Sequence, residues 1–154
     1  MCIRDRFAAI YFGTKRKEIV AIPLLCMVLF WLHPVGHQAW IYPLYWLVPV
    51  IGLFWARDNL LMRSLGTTFT AHAVGSTAFL YVYGMTPEFW LALIPVVFVE
   101  RVLFALGISV SFVAANTVIH KAGLPFLNVD PRYVLTRDKI KQLVVSPLPA
   151  PRSQ

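Results

Sequence analysis

Apolar positions in this chain come in blocks, not in alternation, and short polar or charged intervals separate the blocks. Residues 7–13 (FAAIYFG) are apolar and aromatic and stop at Lys15, Arg16 and Lys17, as the end of an upstream spanning helix would. Residues 19–32 form a run of only 14, with Pro23 near its start. It reaches a crossing of roughly 20 residues only if residues 14–18 or 33–35 extend it, and the expected span is 18–35. Residues 40–56 predict a second crossing, closed by Arg57 and Asp58, with an expected span of 39–56. Residues 65–83 predict a third, within a span of 63–83, ending at Gly84 before Thr86 and Pro87. The run 89–119 has 31 residues. As one helix it would measure about 46 Å, more than the ~30 Å of a hydrocarbon core. A break near Glu100 and Arg101 is the expectation, giving an interfacial helix over 87–99 and a last crossing over 101–120. The competing reading is one long helix that buries both charges near mid-membrane, where charges are costly and normally functional.

Composition agrees with this pattern. The 154 residues are 58% hydrophobic and 14% charged, with a mean hydropathy of +0.67, whereas a soluble domain carries about 25% charged residues. The expected fold class is therefore an all-α, multi-pass transmembrane helix bundle, with four to five helices in this stretch. Residues 1–6 (MCIRDR) are what a common sequencing-library adapter encodes in frame, so they are set aside as a non-native scar. The reading frame is then expected to be cut at a contig edge, with the native N-terminus upstream. Without Arg4, Asp5 and Arg6, the 14 basic and 7 acidic residues become 12 and 6, and the formal charge falls from +7 to +6. Cys26 becomes the sole native thiol, so no intrachain disulfide is expected.

The remaining charge is distributed asymmetrically. Lys15, Arg16 and Lys17 precede the first full crossing, Arg57 and Arg63 lie between the second and third, and six basic residues follow the last run. The alternate loops, 33–38 and 84–88, contain no Lys or Arg. Under the positive-inside rule the basic side is cytoplasmic, which predicts a plasma-membrane protein with a cytoplasmic C-terminus. Trp31, Trp40 and Trp90 fall near the opposite boundary and Trp55 near the cytoplasmic one. The expected domains are 7–123 for the helical region and 124–154 for a basic tail. Pro125, Pro131, Pro147, Pro149 and Pro151 bar that tail from forming a long helix, although one or two turns over 137–143 remain open.

A basic balance can point to nucleic acid, but here the charges flank spanning runs and the topology signal accounts for them. The lipid bilayer is the partner they imply. No phosphate loop and no zinc-binding spacing occurs, so ATP hydrolysis within this chain is excluded, and no cofactor or metal is expected. His33 and His37 are four apart, yet Pro34 and Gly36 between them predict a loop, with no nearby carboxylate or thiol to complete a metal site.

Candidate chemistry concentrates on the third run. Ser64, Thr68, His72 and Ser76 recur every four residues and share one helix face. Such a face looks into the bundle or into a solvated cavity, because polar side chains do not face lipid cheaply. Thr67, Ala71, Gly75 and Ala78 form a small-residue face that permits close helix approach. His72 is either interhelical glue or a ligand contact. Nucleophilic catalysis by Ser76 with His72 lacks an orienting third group. Asn116 is likewise either glue or a pocket group. Glu100 and Arg101 project about 100° apart, so each is expected to find its own partner, not the other.

The stretch from Met85-Thr86-Pro87-Glu88-Phe89-Trp90 through Ile94-Pro95-Val96-Val97-Phe98-Val99-Glu100-Arg101 to Ile119 resembles the end of the substrate-binding membrane subunits of energy-coupling factor vitamin transporters. The likeness lies in an outer loop with a proline and aromatics, an apolar stretch with a second proline, a charged pair and a last inward helix. The quoted stretch, 85–119, is 35 residues long. The resemblance implies six helices in the full protein, capture of a vitamin-sized solute on the outer face, and delivery to a transmembrane coupling subunit and ATPases. His72, Ser76, Trp90, Glu100, Arg101 and Asn116 are the candidate substrate-binding residues, chosen by polarity and depth. No catalytic role is assigned. A membrane-embedded enzyme and a structural subunit of a membrane complex are the alternatives.

Overall fold

Prolines, glycines and two capping side chains decide where the apolar blocks become helices. The computed structural model describes residues 3–13, 17–56, 58–123, 129–136 and 139. Every element among them is helical, in an all-α order: α1 (Ile3–Gly13), α2 (Ala21–Leu32), α3 (Pro34–Gln38), α4 (Leu47–Trp55), α5 (Leu60–Tyr83) and α6 (Pro87–Lys121). Single 3₁₀ segments at Lys17–Val20, Tyr42–Trp46 and Pro131–Tyr133 punctuate this order. The chain divides into two units, Met1–Ser109 and Val110–Gln154.

Several predicted elements are redrawn. The expected crossing over 18–35 resolves into a 3₁₀ turn followed by the 12-residue α2. The one expected over 39–56 opens with 3₁₀ at Tyr42–Trp46 before the nine-residue α4. Pro43 sits in the opening turn of that 3₁₀ segment and Pro49 in that of α4, where a missing N–H removes no intrahelical bond. The predicted loop at His33–His37 is instead the short helix α3. Pro34 is pre-organised for its first turn, and His33 caps it, Nδ1 accepting from Val35 N–H at 3.3 Å. Gly36 is required there, because a Cβ would collide with the Phe30 carbonyl.

α5 begins at Leu60, earlier than the expected 63–65, because Asn59 caps it. Asn59 Oδ1 accepts from Leu61 N–H at 2.9 Å and from Met62 N–H at 3.4 Å. It ends at Gly84, whose φ of 53° is the left-handed cap that glycine adopts without strain. α6 is one continuous helix of 35 residues, without the expected break at Glu100 and Arg101. Glu and Arg both favour helix, and the one internal breaker is Pro95, which removes a single backbone bond. Among the described residues α6 alone is long and apolar enough to cross a membrane, and 11% of its most apolar window is buried.

The first unit is built around an aromatic core. Phe30, Tyr42 and Trp46 are fully buried and Trp90 nearly so. The Phe30 ring stacks on Tyr42 at 5.5 Å and meets Trp90 edge-on at 5.3 Å, while Tyr42 meets Trp90 edge-on at 5.0 Å. A second contact ties α1 in: the Tyr11 hydroxyl donates to the Pro49 carbonyl at 2.6 Å. Gly66 lets α1 come close to α5, since any Cβ there would meet the Tyr11 ring. The expected apolar end over residues 7–13 is thus a packed helix.

In the second unit, Asp130 caps the last 3₁₀ turn and pairs with Arg132 at 2.9 Å. Leu135 N–H donates to Thr117 Oγ1 at 3.1 Å, and Phe112 meets the Tyr133 ring at 5.5 Å. Most of the expected tail, including the turns over 137–143, lies outside the described residues, as do Lys15, Arg16 and Arg57.

Candidate functional site

The four-residue spacing of α5 places His72 and Ser76 one turn apart, and the structure sets both against the wall of a single cavity of about 570 Å³ in the first unit. The 3₁₀ turn before α4 brings Tyr42 to the same place, and α6 contributes Trp90, Glu100 and Arg101. Phe79 and Phe89 add aromatic faces. Arg4 also borders the cavity, but it belongs to the six residues set aside above and carries no part of the argument.

Three polar atoms converge at the centre. Tyr42 Oη lies 2.9 Å from His72 Nε2 and 3.4 Å from Ser76 Oγ, and Ser76 Oγ lies 3.2 Å from His72 Nε2. The two hydroxyls and one ring nitrogen form a triangle held by α5 and the segment before α4. The ring position of Tyr42 is fixed by its contacts with Phe30, Trp46 and Trp90.

Glu100 and Arg101 correct an expectation. They pair with each other, Arg101 Nη2 to Glu100 Oε2 at 2.6 Å. The 100° offset of adjacent helix positions separates their Cβ atoms, but the long guanidinium arm curls back across it. The same guanidinium lies 4.9 Å from the Phe104 ring centroid, and 15% of the Arg101 side chain remains exposed against 47% of Glu100. The pair is formally neutral as a unit.

Five of the six candidate residues, His72, Ser76, Trp90, Glu100 and Arg101, therefore border one cavity. Asn116 does not: it belongs to the second unit, where its Nδ2 donates to the Phe112 carbonyl of its own helix at 2.8 Å. Trp90, expected near a membrane boundary, is a core residue at 2% exposure. The other members of the α5 face also point inward. Ser64 accepts from Ser109 at 2.9 Å, and Thr68 donates to the Leu65 carbonyl at 2.9 Å.

Tyr42 is the residue that sequence reasoning missed. Its signal was a phenol flanked by proline inside an apolar run, since a buried Tyr hydroxyl usually finds a partner. That partner is 30 residues away in the chain, which no local spacing reveals. Trp46 Nε1, Trp90 Nε1 and Arg101 Nε are buried without a hydrogen-bond partner among the described residues.

The arrangement can hold a solute of one or two rings: aromatic walls, a polar centre and a neutral charged pair at the edge. Compared with known protein families, curated proteins and solved structures, the chain gives no match.

Proposed function

We propose that this chain is a multi-pass membrane protein whose first unit captures a small solute, as the substrate-binding subunit of an uptake transporter. The observation that carries the reading is the cavity with a Tyr42–His72–Ser76 centre inside helices whose outward surfaces are apolar. Exposed apolar side chains include Val96, Val99, Leu103, Phe104 and Val110 on α6. A soluble protein's longest apolar helix is a buried core helix, whereas the most apolar window of α6 is 11% buried. Lipid is the solvent that accepts such a surface.

The shorter segments fit the bilayer with help. The 3₁₀ turn at Lys17–Val20 plus α2 reaches about 26 Å, and the 3₁₀ turn at Tyr42–Trp46 plus α4 about 24 Å. Local thinning or flanking residues accommodate such shortfalls at modest cost. α5 reaches about 36 Å and owes its lower hydropathy to the polar face that turns inward. The basic residues between and after the crossings support a cytoplasmic C-terminus in a plasma-membrane protein. A transmembrane coupling subunit and ATPases, implied by the sequence resemblance, would receive the solute and supply the energy.

A membrane-embedded hydrolase is the second reading, favoured by the 3.2 Å approach of Ser76 Oγ to His72 Nε2. Against it, Tyr42 shares that same nitrogen, and among the described residues no carboxylate orients the ring. The test is untargeted mass spectrometry of small molecules released from the purified full chain, wild type against His72→Ala. Capture predicts a solute that is lost or strongly depleted in the variant. Equal occupancy removes His72 from the site, and hydrolysis of ester or amide probes abolished by Ser76→Ala would favour the enzyme.

A further inference from the structure

The hydrogen-bond triangle determines where the His72 proton sits. Ser76 Oγ has two polar neighbours, Tyr42 Oη and His72 Nε2, and Tyr42 Oη has Ser76 Oγ and the same nitrogen. If Nε2 carried the proton, three hydrogens would share two oxygen acceptors. One hydroxyl hydrogen would then have no acceptor among the described residues, whichever way the triangle is oriented. With Nε2 bare, both hydroxyl hydrogens are placed: Tyr42 donates to Nε2 and Ser76 to Tyr42 Oη, or Ser76 donates to Nε2 and Tyr42 to Ser76 Oγ. A neutral His72 then carries its proton on Nδ1.

That nitrogen makes no hydrogen bond among the described residues, and it is not one of the polar atoms sealed from the surface, unlike Trp90 Nε1. His72 borders the cavity, so the Nδ1 hydrogen is a donor still open to a ligand. Beside it stand the flat faces of Tyr42, Phe79 and Trp90. The cation that would otherwise select an anion, Arg101, is already engaged by Glu100 at 2.6 Å.

Resting on the capture reading above, we infer that the cavity takes an uncharged, planar heteroaromatic ligand through a ring carbonyl, as in a lactam or ring amide, that accepts a hydrogen bond from His72 Nδ1. Tyr42 and Ser76 are positioning residues: they act through the tautomer and need not touch the ligand.

The test uses the full chain in lipid nanodiscs and three probes: quinolin-2-one as a neutral lactam, naphthalene as an acceptor-free ring, and quinoline-2-carboxylate as an anion. Tryptophan fluorescence reads binding, and ¹⁵N NMR of labelled histidine reads the tautomer. The expected result is a proton on Nδ1 and a bare Nε2. Quinolin-2-one should bind about tenfold more tightly than naphthalene, the worth of one hydrogen bond, and more tightly than the carboxylate. Tyr42→Phe combined with Ser76→Ala keeps the ring packing, mixes the tautomers and removes that preference. Tyr42→Phe alone retains it through Ser76. An Nε2-protonated ring, a preference for the carboxylate, or failure of all three probes to bind overturns the inference. A co-purified solute without a ring carbonyl overturns it too, while leaving capture itself standing.

Discussion

α5 and α6 distribute their side chains in opposite ways, and the contrast says more about the surroundings of the protein than either helix does alone. α5 buries Ser64, Thr67, Thr68, Thr70, Ser76 and Thr77. α6 exposes Val96, Phe98, Val99, Leu103, Phe104 and Val110. In water the two sets would trade places, since burying a hydroxyl without a partner costs about 1–3 kcal/mol and exposing a leucine forfeits a similar amount. The hydroxyls of α5 meet the first cost by bonding within the protein: Thr67 to the Arg63 carbonyl and Thr70 to the Gly66 carbonyl, both at 2.8 Å. Val96, Val99 and Leu103 on α6 stay more than half exposed, and in the proposed membrane setting lipid would remove the second cost.

The largest effect that would break this contrast is a charge on the exposed face of α6. Leu103 is 61% exposed near the middle of the helix. Leu103→Asp should shift membrane insertion by about 3 kcal/mol, roughly a hundredfold in the inserted fraction, read by glycosylation mapping or retention after alkaline wash. In an aqueous protein the same surface change stays within about 0.5 kcal/mol, so an unaffected Leu103→Asp would remove the contrast. Next comes the packed side of α5. Gly66→Val drives a side chain into the Tyr11 ring and should destabilise by about 1–3 kcal/mol, measured as a lower melting temperature in detergent. The smallest effect belongs to the hydroxyl seam. Ser64→Ala removes the hydroxyl that lies 2.9 Å from Ser109 Oγ, and Ser109 still has the Ala105 carbonyl as an acceptor at 2.8 Å. About 0.6 kcal/mol is expected from a double-mutant cycle with Ser109→Ala, and a coupling of several kcal/mol would mean that the seam does more than glue.

Much of this was readable from local spacing, and what was missed was missed for physical reasons. The four-residue recurrence on α5 identified an inward polar face, and the Pro87 and Gly84 signals marked the boundary between α5 and α6 correctly. The helix does not break at Glu100 because neither Glu100 nor Arg101 interrupts a helix, whatever a charge costs in a membrane. Wheel angles separated Glu100 from Arg101, but they describe Cβ directions and not the reach of a guanidinium. His33–His37 folds as a helix because Pro34 starts helices as readily as it ends them, and because Gly36 is the one residue that fits against the Phe30 carbonyl. Five of the six residues chosen by polarity and depth border one cavity, while the Asn116 amide bonds the backbone of its own helix. Tyr42 escaped because its partners come from a different helix, and tertiary proximity leaves no periodic mark.

The proposed membrane topology is open to a direct measurement. In a background lacking Cys2 and Cys26, single cysteines at Gln38→Cys, Asp58→Cys, Thr86→Cys and His120→Cys are labelled in intact cells with a membrane-impermeant maleimide. A multi-pass bundle with a cytoplasmic C-terminus should be labelled from outside at positions 38 and 86, and at 58 and 120 only after the membrane is opened. Equal labelling of all four from one side would contradict a multi-pass bundle, and with it the reading of α5 and α6 as helices turned inside out by lipid.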